Sequence, residues 1–406
     1  MEKTKYTDIS ISSTAFFLKV IGLWMANDRT EDTRRKLALA YTIAALIFAT
    51  IVEIRDLYYT WGDLDAALYV ACNVLSLATV LIKVFIIAAN KIQFDELLVY
   101  MQENFWNATY DFHEKSILGD CKKTCILFIS LVSLIGQSAI VGYIITPIFD
   151  NMGKNESERV LVFNMWLGEQ LSLSPVFEIL FFVQVLSLYH VGVCYYSFDN
   201  LLCILSVHVS GQFRILQYRL NKLLGGGDKM GDGKVDSISY AADSYEKLKD
   251  CIRQHQELID YCEKLENVFT LIVLAQVLVF SILICLFGYQ IFLANASGPR
   301  RLVFVFLMLG SSTLLFMFTY SCHSLIEQSD NVGIAAYSSP WILMPMDRNG
   351  KMIRNDLMMI ITRARRVCCL TANGFFPISL ETYTSVMNNN LFHLTVLLQR
   401  VPLNSN

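Results

Sequence analysis

Six long stretches of this chain carry almost no charge, and they limit what it can fold into more than any other feature. They are 37-LALAYTIAALIFATIV-52, 66-AALYVACNVLSLATVLIKVFIIAA-89, 124-TCILFISLVSLIGQSAIVGYIITPIF-149, 179-ILFFVQVLSLYHVGVCYYSF-198, 268-VFTLIVLAQVLVFSILICLFGYQIFLA-294 and 302-LVFVFLMLGSSTLLFMFTYSC-322. About 20 apolar residues in a helix cross a hydrocarbon core of roughly 30 Å, so each run is predicted to span a membrane. The first is short and extends through Leu57, with Glu53, Arg55 and Asp56 near the headgroups. A seventh crossing, the weakest by hydropathy, is expected at 374-GFFPISLETYTSVMNNNLFHLTVLLQ-399. At 54 % hydrophobic and 17 % charged, the 406 residues are too apolar for a soluble domain of this size. The expected fold class is an all-α membrane protein with seven transmembrane helices.

Lysine and arginine orient such a bundle, because positive loops stay in the cytoplasm. Of 33 such residues, 26 fall in segments 1–36, 90–123, 199–267 and 323–370, which places the N-terminus inside and the C-terminus outside. The organisation expected is a cytoplasmic N-terminal segment over 1–36 and spans one to six over 37–326, with cytoplasmic extensions and a flexible loop at 199–267. A cytoplasmic anchor segment follows at 327–371, then the seventh helix and a short outer tail at 372–406. The stretch 15-AFFLKVIGLW-24 is interrupted by Lys19 and lacks a following small-residue site, so it reads as a short amphipathic helix on the inner membrane surface rather than a cleaved signal. The 11 cysteines fall in spans or inner segments, where thiols stay reduced, and no disulfide is expected. Of the sequons at Asn107, Asn155 and Asn295, only the last two face outward, and Asn155 is the better glycosylation candidate because Asn295 lies close to the bilayer.

Catalytic and metal motifs are absent: there is no H-E-x-x-H, no metal-spaced C-x-x-C and no G-x-S-x-G. No enzyme activity, cofactor, resident metal or nucleic acid partner is expected. The glycine-rich 223-LLGGGDKMGDGKVDSIS-239 fails as a phosphate-binding loop, since Asp228 stands where the first glycine belongs and Val235 where a hydroxyl belongs. It reads as a solvated linker. Its flanks, 201–224 and 244–269, look like helical continuations of spans four and five. In the second, Leu248, Ile252, Ile259, Cys262 and Leu265 share one face. The segment 353–370 repeats that periodicity through Ile353, Leu357, Ile360, Ile361 and Ala364. Lys83, in the cytoplasmic third of span two, is expected to snorkel to the interface.

Uncharged polar residues at mid-span, Asn73, Gln137, Gln184, Gln276, Ser311 and Ser312, need partners in lipid. They serve either as interhelical hydrogen-bond glue or as orienting groups in a cavity for a small apolar molecule. The cavity reading draws on the outer halves of spans two, three, four and six: Tyr69, Asn73, Gln137, Ile140, Tyr143, Phe177, Phe181, Phe182, Met308 and Ser311.

On a helical wheel the last helix puts Tyr383, Met387, Leu391, Leu394 and Leu398 on one side. Thr382, Ser385, Asn388, Asn389, Phe392, Val396 and Gln399 lie opposite. A polar stripe across lipid must face protein or water. Several copies around an axis would form a pore lined by Ser385, Asn389, Phe392, Val396 and Gln399, with Val396 narrow enough to gate by dewetting. The alternative is a polar seam inside one subunit.

Four fragments, 372-ANGFFPISLETYTSV-386, 335-AAYSSPW-341, 174-SPVFEILFFVQ-184 and 15-AFFLKVIGLW-24, together resemble the insect odorant receptor family from end to end. The C-terminal block is the most specific of them. The resemblance implies a seven-helix subunit of a tetrameric, ligand-gated, nonselective cation channel, partnered with the shared odorant-receptor co-receptor in the plasma membrane of olfactory neurons. It further implies a volatile ligand held in the outer half of the bundle, an inner anchor where subunits meet, and a central pore along helix seven with its gate at Val396 and Gln399 nearby. His393 departs from the aromatic Tyr common at that place. A G-protein-coupled receptor would need a D/E-R-Y-like triplet and N-P-x-x-Y, neither of which occurs, and a transporter would be expected to show paired carboxylates or repeated halves.

Overall fold

The computed structural model describes residues 9–26, 28–155, 158–166, 173–224, 237–294, 297–344 and 346–400. Asn295 and the linker at 225–236 lie outside these, as do the side chains of Leu398 and Arg400.

Ten α-helices carry the described chain: α1 Ile9–Ile21, α2 Arg29–Thr60, α3 Leu64–Ala89, α4 Lys91–Met101, α5 Phe112–Asp150, α6 Val176–Leu224, α7 Ser237–Phe292, α8 Gly298–Ser338, α9 Arg348–Ala364 and α10 Leu380–Arg400. Six of them, α2, α3, α5, α6, α7 and α8, are long and apolar enough to cross a membrane, and each contains one of the six uncharged runs. The shorter, more polar α10 makes the seventh. Among the described residues the only β pairing is one isolated bridge, Thr371 to Pro377.

Aspartates start several of these helices. Asp28 caps α2 by accepting from the Glu31 amide at 2.7 Å, Asp63 caps α3, and Asp347 caps α9. At α5, Asp111 and Glu114 form a reciprocal capping box. Each satisfies amides that the first helical turn leaves without partners. The turn between α1 and α2 depends on Gly22, at φ +85°, where a Cβ would run into the backbone of Arg35 and of Ala38–Leu39.

α6 and α7 have 49 and 56 residues. At 1.5 Å per residue they are roughly 75 and 85 Å long, far more than a bilayer needs. Their surplus extends past one end of the bundle, where α4, the end of α8, and α9 pack against it. Leu248, Ile259, Cys262 and Leu265 of α7 are buried there, as are Ile353, Leu357, Ile360 and Ala364 of α9. At the opposite end, α2 and α3 meet in a short turn, and residues 158–166 of the α5–α6 connection fold over the helices.

Two expectations change. α1 does not simply lie on a surface: Ile11, Ala15, Leu18 and Ile21 are buried, and the helix packs against α6, α2 and α5. Lys83 does not snorkel, and is only 1 % exposed. Its Nζ donates to both oxygens of Asp199 on α6, at 2.8 and 2.9 Å, and to the Tyr195 carbonyl at 3.3 Å. Asp199 closes the fourth uncharged run, and it supplies a nearer countercharge than the headgroups do.

Candidate functional site

The polar residues that interrupt the spans mostly find partners on other helices. Tyr143 on α5 donates to Asn73 Oδ1 on α3 at 2.9 Å, and Gln137 Nε2 donates to the Tyr196 hydroxyl at 3.0 Å. Gln184 on α6 grips the α5–α6 connection, accepting from the Phe163 amide at 3.0 Å and donating to the Phe163 carbonyl at 2.9 Å. The same connection is tied down by Trp166, whose indole donates to Asp56 at 2.7 Å and stacks on Tyr59. Arg55 adds a hydrogen bond to the Trp166 carbonyl at 3.0 Å.

Beneath this roof lies a cavity of about 160 Å³. A void of this scale takes up a guest of roughly benzene size when its walls are apolar. Those walls come from α2, α3, α5, α6 and α8, with Phe287 of α7 and Phe163 of the roof, and include Phe48, Val52, Leu77, Ile140, Val191, Leu307 and Leu314. Polar groups are few: Glu53, Asn73, Ser76, Gln184, Ser187, Ser311 and the hydroxyls of Tyr143, Tyr195 and Tyr196. Two glycines let the walls approach one another. A Cβ on Gly192 would stand 2.6 Å from Ile140 Cδ1, and one on Gly136 would stand 3.3 Å from the Tyr196 ring. An apolar hollow with a few convergent polar atoms binds a small organic molecule by desolvating it and orients it through those atoms.

Of the ten residues expected around a ligand, Asn73, Ile140, Tyr143 and Ser311 line this cavity. Tyr69 lines a second hollow of about 40 Å³ next to it, sharing Tyr143 as a wall and lying under the Arg300 guanidinium at 4.6 Å. Gln137 is held by Tyr196, and Met308 packs into the core. Phe177 and Phe181 stack on each other with Arg159 over Phe177, and Phe182 is 61 % exposed. These five line neither hollow. Sequence reasoning passed over the α2 wall, Phe163, Ser187 and the Tyr195–Tyr196 pair. Glu53 carried a usable signal, since it is a carboxyl placed directly after an uncharged run.

The inner wall of the cavity reaches the buried ion pair. Tyr195 lines the cavity while its carbonyl accepts from Lys83 and its ring lies 5.5 Å from Lys83 Nζ.

The last helix is fastened by the segment before it. Thr371 donates to Glu266 at 2.5 Å, Thr270 donates to the Thr371 carbonyl at 2.9 Å, and the Asn373 amide donates to Thr270 at 2.9 Å. α10 then packs on α7 and α8 through Tyr383, Val386, Met387, Asn390 and Leu394, with Leu394 set against Gly288 and Tyr383 edge-on to Phe316. Leu391, expected on the packed side, is 62 % exposed. The contact arc is rotated from the apolar one, which brings Asn390 inward, its amide donating to the Val386 carbonyl at 2.9 Å. Ser385, Asn389, Phe392 and Gln399 are exposed and Val396 is half-buried. Asn155 is exposed in the α5–α6 connection.

The eleven cysteines are free thiols. Among the described residues no group of three or more His, Cys, Asp or Glu side chains is placed to hold a metal ion.

A family model described as 7tm Odorant receptor matches residues 63–390. Odorant receptor 13a of Drosophila melanogaster is 21 % identical, covering 97 % of this chain and 96 % of its own length. Odorant receptor 10 of Aedes albopictus is 21 % identical over 88 % of this chain and 90 % of its own. The solved structure of the insect olfactory receptor OR5 from Machilis hrabei in complex with eugenol superposes with a TM-score of 0.80 at 16 % identity, covering 96 % of this chain and 97 % of that one.

Proposed function

The chain belongs to the 7tm odorant receptor family, a multi-pass membrane receptor and not an enzyme, and from that premise we propose that it is the odorant-tuning subunit of a ligand-gated nonselective cation channel. The observation that carries the ligand half of this reading is the roofed apolar cavity between α2, α3, α5, α6 and α8. The charge asymmetry orients the bundle with the α2–α3 end outward, so the cavity lies beneath the loop that faces the side from which a volatile arrives. The similar receptor from Machilis hrabei was solved in complex with eugenol.

The channel half rests on α10. One side of it is packed on α7 and α8, while Ser385, Asn389, Phe392 and Gln399 remain uncovered in a single subunit. A polar face of that kind in lipid calls for further subunits, and four copies around an axis, some of them co-receptor, would turn it toward a water-filled pore with Val396 as its narrow ring. Ligand binding favours the packing that opens this ring, because a ligand shifts a conformational equilibrium only by its differential affinity for the two states. The seat of this activity is the plasma membrane of olfactory neurons, and Asn155 in the outer loop carries the glycan.

The test is a voltage-clamped cell expressing the chain with the co-receptor, with G-protein signalling blocked. Volatiles should evoke a fast cation current, and Val396→Ser should raise the basal current. A response abolished by the block would refute the channel half of the reading, and a Val396→Ser channel with unchanged basal and evoked currents would refute the gate at Val396.

A further inference from the structure

Four carboxyl side chains are buried among the described residues: Glu53, Asp56, Glu114 and Asp199. Two of them have a cation in contact, Asp199 with Lys83 at 2.8 Å and Glu114 with Arg219 at 2.7 Å. The two on α2 have none within ion-pairing distance. Asp56 accepts the Trp166 indole instead, and it does not line the cavity. Glu53 does line it, is 5 % exposed, and its Oε2 has no hydrogen-bond partner.

The groups around Glu53 make its situation sharper. Asp56, three residues along the same helix, is a second carboxyl and brings no countercharge. Asn73 Nδ2 and the Ser187 hydroxyl, both on the cavity wall, are also without partners. The arginines at this end are engaged elsewhere: Arg55 with the Trp166 carbonyl and the Tyr59 ring, Arg300 over the Tyr69 ring. A buried carboxyl without a cation or a full set of hydrogen bonds is costly. The cavity is therefore complete in shape and incomplete in polar partners.

We infer that the ligand of this cavity is a small amine, whose protonated nitrogen is held by Glu53 with Asn73 and Ser187 beside it and whose apolar body occupies the space lined by Phe48, Ile140 and Leu307. An ammonium brings both the missing positive charge and several N–H donors, whereas an alcohol brings one donor and no charge. The apolar body is limited to roughly benzene size by the cavity. This inference rests on the proposed odorant-binding role and specifies its ligand class.

The experiment compares benzylamine, benzyl alcohol and benzaldehyde, and the pentyl and hexyl series of the same three groups, as agonists of the chain expressed with its co-receptor. A hydrogen bond to a charged group corresponds to roughly tenfold to a hundredfold in affinity. Wild type should answer amines at concentrations lower by about that factor than the matching alcohols and aldehydes. Glu53→Gln should remove the advantage while leaving the neutral compounds within about threefold, and Glu53→Asp should restore part of it. Glu178→Gln, at an exposed carboxyl on the outer end of α6 that does not line the cavity, should keep it. Because the readout is a ratio of agonists on one receptor, reduced surface expression does not mimic the effect. If Glu53→Gln fails to reach the membrane, the wild-type ratio decides alone. Amines no better than their alcohols, or an advantage that survives Glu53→Gln, overturns the inference and leaves the odorant-receptor channel standing. A preference for aldehydes lost in Glu53→Gln also overturns it, marking Glu53 as a neutral donor. No current from any of these compounds, while other volatiles still evoke one, overturns the amine inference alone, and no current from any volatile, with co-receptor currents intact, overturns the channel reading itself.

Discussion

Asp199 and Glu53 are both acids buried in the membrane-spanning part of one bundle, and their surroundings are opposite. Asp199 is gripped by Lys83 through both oxygens, and the pair is closed in by Tyr195. Glu53 stands at the wall of a cavity with one oxygen unsatisfied and no cation near it. In low dielectric the first arrangement is stable only because every charge meets its complement, and removing either partner exposes the full desolvation cost of the other. The second arrangement leaves that cost open to whatever enters. The contrast separates a permanent fastening from a place meant to be occupied, and Tyr195, which touches the ion pair and lines the cavity, lies between them.

The strongest way to break this comparison is at the fastening. Lys83→Met should destabilise the receptor by about 3–5 kcal/mol and remove most of it from the cell surface, while Lys83→Met with Asp199→Leu should recover much of the loss. Surface labelling of the three receptors checks this, and a single variant present at normal levels would mean the pair is not a fastening. Next in size is the cavity wall, where Gly192→Ala sets a methyl 2.6 Å from Ile140 Cδ1. Overpacking of that kind costs about 1–3 kcal/mol, and displaced Ile140 should raise the half-maximal concentration of bulky agonists more than of slim ones. Dose–response curves over a size series would sharpen how rigid the cavity is. A smaller effect is expected for Tyr143→Phe, which deletes the 2.9 Å bond to Asn73. The loss of about 0.5–1.5 kcal/mol should appear as a shift of a few-fold in agonist sensitivity with little change in surface level.

A pH effect that leaves the agonist readouts untouched lies far from the cavity, in the inner extension of α7. Burial, with the Arg363 charge adding to it, holds His255 at about 4, below its ordinary 6.5. The folded state therefore keeps this ring neutral, and the unfolded chain binds the extra proton first as the pH falls. Its contribution is fully present above pH 6.5 and is lost as the pH drops toward 4. Thermal unfolding of the purified receptor should occur at lower temperature at pH 5 than at pH 7, with His255→Gln reducing the difference.

The two regions were not equally legible. The inner helices could be read because they are amphipathic: Leu248, Ile259, Ile353 and Leu357 recur at helical spacing on otherwise charged segments, and all are buried. The cavity could be read only in depth. Asn73, Ile140, Tyr143 and Ser311 were reachable because hydropathy shows how far along a span each lies, but spans apolar all round do not announce which side faces inward. Phe177, Phe181 and Phe182 stand at a suitable depth and line neither hollow. The wheel of α10 erred in the same way, by a small rotation that exposes Leu391 and buries Asn390.

Chain-long hydropathy, the bias of lysine and arginine, and the C-terminal block 372–386 were enough to identify the number of spans, their expected orientation and the family, because each depends on composition or on neighbours in sequence. The pairing of Lys83 with Asp199, 116 residues apart, and the meeting of Glu53 with Asn73, Ser187 and Phe163 around one cavity had to await the packed bundle. Side-chain azimuth and long-range proximity are set by how helices pack against one another, and no local pattern in the chain encodes them.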